Sequence, residues 1–137
     1  EDEMMDLMEA AQMQYTSNGY THAVEGFTHI KDMNTLKRAA KEGRFFIDIA
    51  SLPGFTEMDE WLNNPEYPFG EYNNHLKFAG GKFTLDGSPQ GLTAYMAEPY
   101  KVPGPNGEKN WVGNTAIPRE DLAKLAKVMV DNNVQIM

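Results

Sequence analysis

The chain has 137 residues, a formal net charge of −8, 41% hydrophobic and 23% charged residues, and no cysteine. That composition belongs to an ordinary globular chain rather than a disordered or fibrous one. The scattered basic residues argue against an extended nucleic-acid surface. The missing cysteines exclude a disulfide scaffold, thiol catalysis and cysteine-ligated zinc. No apolar run approaches the roughly 20 residues of a membrane span, and no signal peptide opens the chain, so the expectation is a cytoplasmic protein with no membrane partner.

Residues 2–17 read as a helix, because Met4, Met8, Ala11 and Tyr15 recur at helical spacing and Asn18-Gly19 supplies a stop. Residues 20–25 read as a short strand followed by Gly26. A second helix is expected over about 33–41, capped by Asp32 or Asn34 and ended by Glu42-Gly43. Residues 44–50 are the clearest strand, too apolar for a half-exposed one. Residues 56–63 form a short helix with Thr56 as its cap, and 65–74 a loop.

Residues 75–79 and 82–85 are two short strand segments on either side of Gly80-Gly81, either a hairpin or one strand with a glycine bend. A long Gly/Pro-rich connection occupies 86–117, and connections of that length are usually functional. Pro118 opens the last helix, with Leu122, Leu125 and Met129 on its apolar side, and a final strand begins after Asn132-Asn133. Alternation of this kind implies parallel strands joined by right-handed helical crossovers. The chain reads as one domain. It opens inside a helix and stops inside an apolar strand-like run, so a fragment of a longer protein is expected.

Lys82 is the residue that most needs a reason. On a strand, Lys82, Thr84 and Asp86 share one face while Phe83 and Leu85 share the other. If helices cover the apolar face, the polar row is aimed inward, where a lysine is costly unless something neutralises or coordinates it. The bland alternative is a solvent-facing lysine on an edge strand. Inside a barrel, near the carboxyl end of a parallel strand, a neutral lysine could instead react with carbon dioxide to give a carbamate able to bridge metal ions. Asp86-Gly87-Ser88 has the composition of any turn. Glu25, expected at its strand end, is either a barrel-face residue or a surface cap. His22, His29 and His75 lack metal-site spacings and read as structural. Tyr95, Tyr100 and Trp111 either line a pocket or anchor their loop.

The run from Leu76 to Ala94, with Lys82, Asp86-Gly87-Ser88 and Thr93-Ala94, followed by Glu98-Pro99-Tyr100, resembles the family-3 amidohydrolases, a group that includes enzymes similar to N-substituted formamide deformylase. Asn18-Gly19-Tyr20-Thr21 ahead of a strand ending in Glu25-Gly26 looks like the family's G-x-T-T strand. The resemblance implies a partial (β/α)8 TIM barrel, about strands two to five. It implies hydrolysis of a non-peptide C–N bond, an amide, by metal-activated water, with a divalent metal, zinc, as cofactor of the complete enzyme. Lys82 maps onto the fourth-strand metal ligand; Asp86, Ser88, Gln90 and Glu25 would contact a small amide substrate.

The other metal ligands and the catalytic aspartate would lie outside this stretch, so the isolated piece is expected to be inactive and metal-free. Its partner would be the remainder of its own barrel, and its open edges would favour a homo-oligomer. The alternative reading is a non-catalytic small-ligand or carbohydrate-binding module that stacks its ligand on Trp61, Trp111 and the tyrosines. A third is a segment serving only in oligomerisation.

Overall fold

The structure is a computed structural model that describes residues 2–137. Two compact units are present: residues 1–82 with 129–137, and residues 83–128. In the first unit, helix α1 (Asp2–Ser17) precedes strand β1 (His22–Thr28), helix α2 (Ile30–Lys41) and strand β2 (Asp48–Pro53). A single 3-10 turn (Phe55–Glu57) leads into helix α3 (Met58–Asn63), and strands β3 (Tyr72–Asn73) and β4 (Leu76–Phe78) follow. Helix α4 (Arg119–Asp131) is the last regular element. The sheet order is β1-β2-β4-β3, with β1, β2 and β4 parallel and β3 antiparallel at one edge. This is the α/β crossover pattern that the alternation of elements predicted.

One face of the sheet is covered by helices. Ala23, Glu25 and Ile49 share a groove with Met8 of α1 and Leu36 of α2. Phe78 meets the ring of Trp61 from α3 at 6.2 Å, and Tyr67 closes the cluster at 4.9 Å from Trp61 and 5.7 Å from Phe78. Trp61 is 1% exposed, so this aromatic group is a core, and truncating it would cost about 3–5 kcal/mol. A stacking role for Trp61 on a ligand surface is thereby ruled out. The other sheet face carries His22, Val24, Asp48, Ala50 and Lys77, because register partners point the same way. Val24 on that face is 60% exposed.

Several boundaries differ from the expectations, each for a tertiary reason. Residues 44–47 are not strand, and β2 begins at Asp48. Their backbone is bonded elsewhere: the buried Gln12 side chain of α1 donates to Arg44 O at 3.0 Å and accepts from Phe46 N at 2.9 Å and Ile47 N at 3.4 Å. Strand β1 runs to Thr28, with a register irregularity between Glu25 and Thr28. Helix α2 starts at Ile30 because Glu57, 27 residues further on, accepts its N–H at 3.0 Å; neither Asp32 nor Asn34 caps it. Thr56 likewise falls inside the 3-10 turn rather than capping α3. On α1 the buried side chains are Met5 and Gln12, while Met4 and Tyr15 of the expected apolar face are exposed.

Gly80-Gly81 is a bend within one strand, not a hairpin turn. Ala79 N donates to Ser51 O and Lys82 N to Pro53 O, so the chain keeps its parallel pairing with β2 past Phe78. Beyond Lys82 no strand continues over 83–85. The final strand is reduced to one parallel bridge between Gly81 and Ile136. Both glycines are required by close packing: a Cβ at Gly80 would sit 2.6 Å from Gln135 O, and one at Gly81 would sit 2.1 Å from the Met129 methyl.

In the second unit the segment ahead of α4 has no regular element but is closed by its own bonds. Met96 N donates to Val112 O and Tyr100 N to Trp111 O, both at 2.8 Å. The Trp111 indole N–H donates to Leu92 O, and the Tyr100 hydroxyl to Ala94 O at 2.9 Å. These two aromatics therefore anchor the loop.

Candidate functional site

Lys82 stands at the carboxyl end of the parallel array. Its backbone is fixed on one side by the bonds to Pro53 O (2.7 Å) and from Phe55 N (3.0 Å), which pair it with Gly54. On the other side, Gly81 pairs in parallel with Ile136. Parallel neighbours on both sides are what a barrel strand requires, and an edge position for Lys82 is excluded. A Cβ on Gly81 would project among the methyls of Met129 and Met58, the helix side. Alternation then turns Lys82 to the face opposite these helices, where it is half-buried. The expected Lys82/Thr84/Asp86 row does not form, because the extended geometry stops at Lys82 and Thr84 is exposed.

The same end of the sheet carries a cluster contributed by the end of β1, the residue after it, and the turn after β2. A Cβ added to Gly54 would lie 2.3 Å from Cε1 of Phe27, so the Phe27 ring covers Gly54. Phe27 also meets Phe55 edge-on at 6.1 Å and His29 at 5.2 Å. His29 Nδ1 lies 3.3 Å from Glu57 Oε2, the same oxygen that caps α2. No sequence spacing marks this pairing, since its members come from two separate stretches of chain, 27–29 and 54–57.

Glu25 sits within β1 rather than at its end, and on the helix side of the sheet. Its carboxylate accepts from the Thr28 hydroxyl and, at 3.4 Å, from Phe27 N; Thr28 Oγ1 in turn lies 2.7 Å from Ser51 Oγ. Burial pushes the Glu25 carboxyl above its ordinary range; the Phe27 N–H opposes this, the Asp32 carboxylate adds to it, and His29 opposes it.

Asp86, Ser88 and Gln90 lie in the second unit. Asp86 Oδ2 accepts from Tyr95 N at 2.8 Å, and Ser88 Oγ accepts from Gly91 N at 3.0 Å, so both side chains shape their own turn. Gln90 is exposed.

At the amino ends of the strands, Asp48 joins two of the histidines: His22 Nε2 lies 3.2 Å from Oδ2, and His75 Nδ1 lies 2.8 Å from Oδ1. That end of such a sheet is associated with stability rather than chemistry. Among the described residues no group of three or more His, Cys, Asp or Glu side chains could hold a metal ion. No described helix is long and apolar enough to cross a membrane.

Comparison with known proteins agrees with this geometry. The profile described as "Amidohydrolase family" matches residues 1–137. The chain belongs to the amidohydrolase family. Two solved structures share its fold: an uncharacterized metal-dependent hydrolase from Pyrococcus horikoshii OT3, at 19% identity and TM-score 0.77, and one from Pyrococcus furiosus, at 18% identity and TM-score 0.76. The match covers 96% of this chain in both cases but 26% and 27% of the two hydrolases, so the chain spans about a quarter of their length. Comparison with curated proteins finds no match.

Proposed function

We propose that the whole protein is a metal-dependent hydrolase of non-peptide C–N bonds, of the kind represented by N-substituted formamide deformylase, and that Lys82 is its fourth-strand metal ligand. The observation that carries this reading is the position of Lys82: half-buried on the face opposite the helices, at the carboxyl end of a strand with parallel partners on both sides, in a chain of the amidohydrolase family.

A free amine is a poor bridging ligand. Reaction of the neutral amine with carbon dioxide forms an N–C bond and releases one proton, leaving a carbamate whose two oxygens resemble a carboxylate. The divalent metal, zinc in this reading, would polarise the amide carbonyl and lower the pKa of water. Lys82 supplies one ligand, and its backbone bonds to Pro53 and Phe55 keep that ligand in place. The remaining ligands and the proton shuttle belong to other strands of the complete barrel.

The test is metal content and hydrolysis of N-formyl and N-acetyl amines by the whole protein. Replacing Lys82→Ala should empty the site and slow hydrolysis by at least about 100-fold. With 13C-bicarbonate, the native protein should show a carbamate carbon signal that the variant lacks. A Lys82→Ala protein that keeps its metal and its rate refutes the assignment.

A further inference from the structure

We infer that the Phe27 ring is the wall against which a flat, apolar substituent of the amide substrate lies, which makes Phe27 a specificity-determining residue beside Lys82. That the occupant is a substrate rests on the proposed reaction; the wall itself follows from geometry. Gly54 and Lys82 are parallel partners on adjacent strands, so a Cβ on Gly54 and the Cβ of Lys82 point to the same side of the sheet. The space that a Gly54 Cβ would occupy is filled by the Phe27 ring, with Cε1, Cζ and Cδ1 at 2.3, 2.6 and 2.9 Å. The Phe27 ring therefore lies on the Lys82 side of the sheet, over the strand adjacent to that of the lysine.

The ring is also held still. His29 flanks it at 5.2 Å and is itself anchored by Glu57, while Phe55 abuts it edge-on with an interplanar angle of 90°. Phe27 is only half-buried, so part of its surface is open to a ligand. A rigid aromatic surface binds a flat apolar group without further loss of side-chain freedom, and aromatic pairs gain energy beyond the area they bury. Gly54 is the positioning residue, since any side chain there displaces the ring.

The experiment is an NMR titration of the whole protein, stripped of metal, with N-benzylacetamide and N-propylacetamide, following the Phe27 and Phe55 ring signals. The benzyl probe should bind about tenfold more tightly than the propyl probe. Phe27→Leu should abolish that preference while leaving Trp61 and its neighbours unshifted, and Gly54→Ala should reduce it. Should Phe27→Leu fail to fold, Phe55→Leu provides the same reading through the buttress. Equal affinity of the two probes for the native chain, or a benzyl preference that survives Phe27→Leu, overturns the inference. Lys82→Ala separates it from the proposed reaction: the benzyl preference must persist there, whereas metal and hydrolysis must not.

Discussion

Replacing Gln12→Leu tests how the first unit is held together. Gln12 is 3% exposed, and its amide is the partner of Arg44 O, Phe46 N and Ile47 N as well as of Met8 O. Leucine fills a similar volume but offers no polar atom. Met8 O keeps its place in the helix, so three backbone groups of residues 44–47 lose a partner beneath buried Phe45 and Ile47. At about 1 kcal/mol for each orphaned group, the loss is about 3 kcal/mol, which corresponds to a fall in Tm of about 10 °C.

Urea unfolding followed by far-UV circular dichroism gives the first quantity and a thermal scan the second. Amide hydrogen exchange locates the effect. Phe46 and Ile47 should lose protection, while Ile49, whose N–H is bonded to His75 O at 2.7 Å, should keep its own. Met13→Leu, at a site 62% exposed, is the control and should stay within about 0.5 kcal/mol of the native chain. A Gln12→Leu loss no larger than that of the control, or equal loss of protection at Phe46 and Ile49, refutes the reasoning.

Asn74 and His75 connect β3 to β4 with φ of 47° and 67°, the left-handed pair of a two-residue hairpin that favours glycine at its second position. His75→Ala loses the Asp48 contact and keeps the strain, whereas His75→Gly loses the contact but relieves the strain, so the glycine variant should be about 1 kcal/mol the more stable in urea unfolding; equal midpoints would contradict the turn assignment. The raised Glu25 pKa means that the folded state binds a proton more readily than the unfolded chain. Stability attributable to this group is therefore greatest below its ordinary value of 4.5 and declines as the pH rises through the raised folded value. Glu25→Gln keeps an acceptor for Thr28 and removes the charge, so its urea midpoint should exceed the native one at pH 7 and the difference should vanish near pH 4; a constant difference across that range would show that titration of Glu25 is not the cause.

Much of the architecture is legible in the sequence alone. The alternation of apolar runs with capped amphipathic stretches specified parallel strands and crossovers, because those patterns record which faces must leave water. Gly80-Gly81 marked the bend, and the run from Lys82 to Tyr100 carried the family resemblance. Boundaries were less legible wherever a partner distant in sequence supplies the backbone's hydrogen bonds. An apolar run at 44–50 reads as strand, yet Gln12 holds its first half out of the sheet. Glu57, not a local residue, sets where α2 begins.

The candidate site divides along the same line. Chemistry marked Lys82, since a lysine among glycines and apolar residues demands a reason, and its setting at a strand end is local information. Which way it points depends on parallel partners at Gly54 and Ile136, which lie far from it in the chain. Glu25 shows the converse: its residue type promised chemistry, and register placed it under the helices. Nothing in the sequence marks Phe27, because a phenylalanine in a strand is ordinary until a neighbouring strand offers a glycine for it to cover. Local pattern thus determines which segments extend or coil and which faces are buried; only the assembled sheet, through hydrogen bonds and contacts between distant residues, decides which side chains share a face.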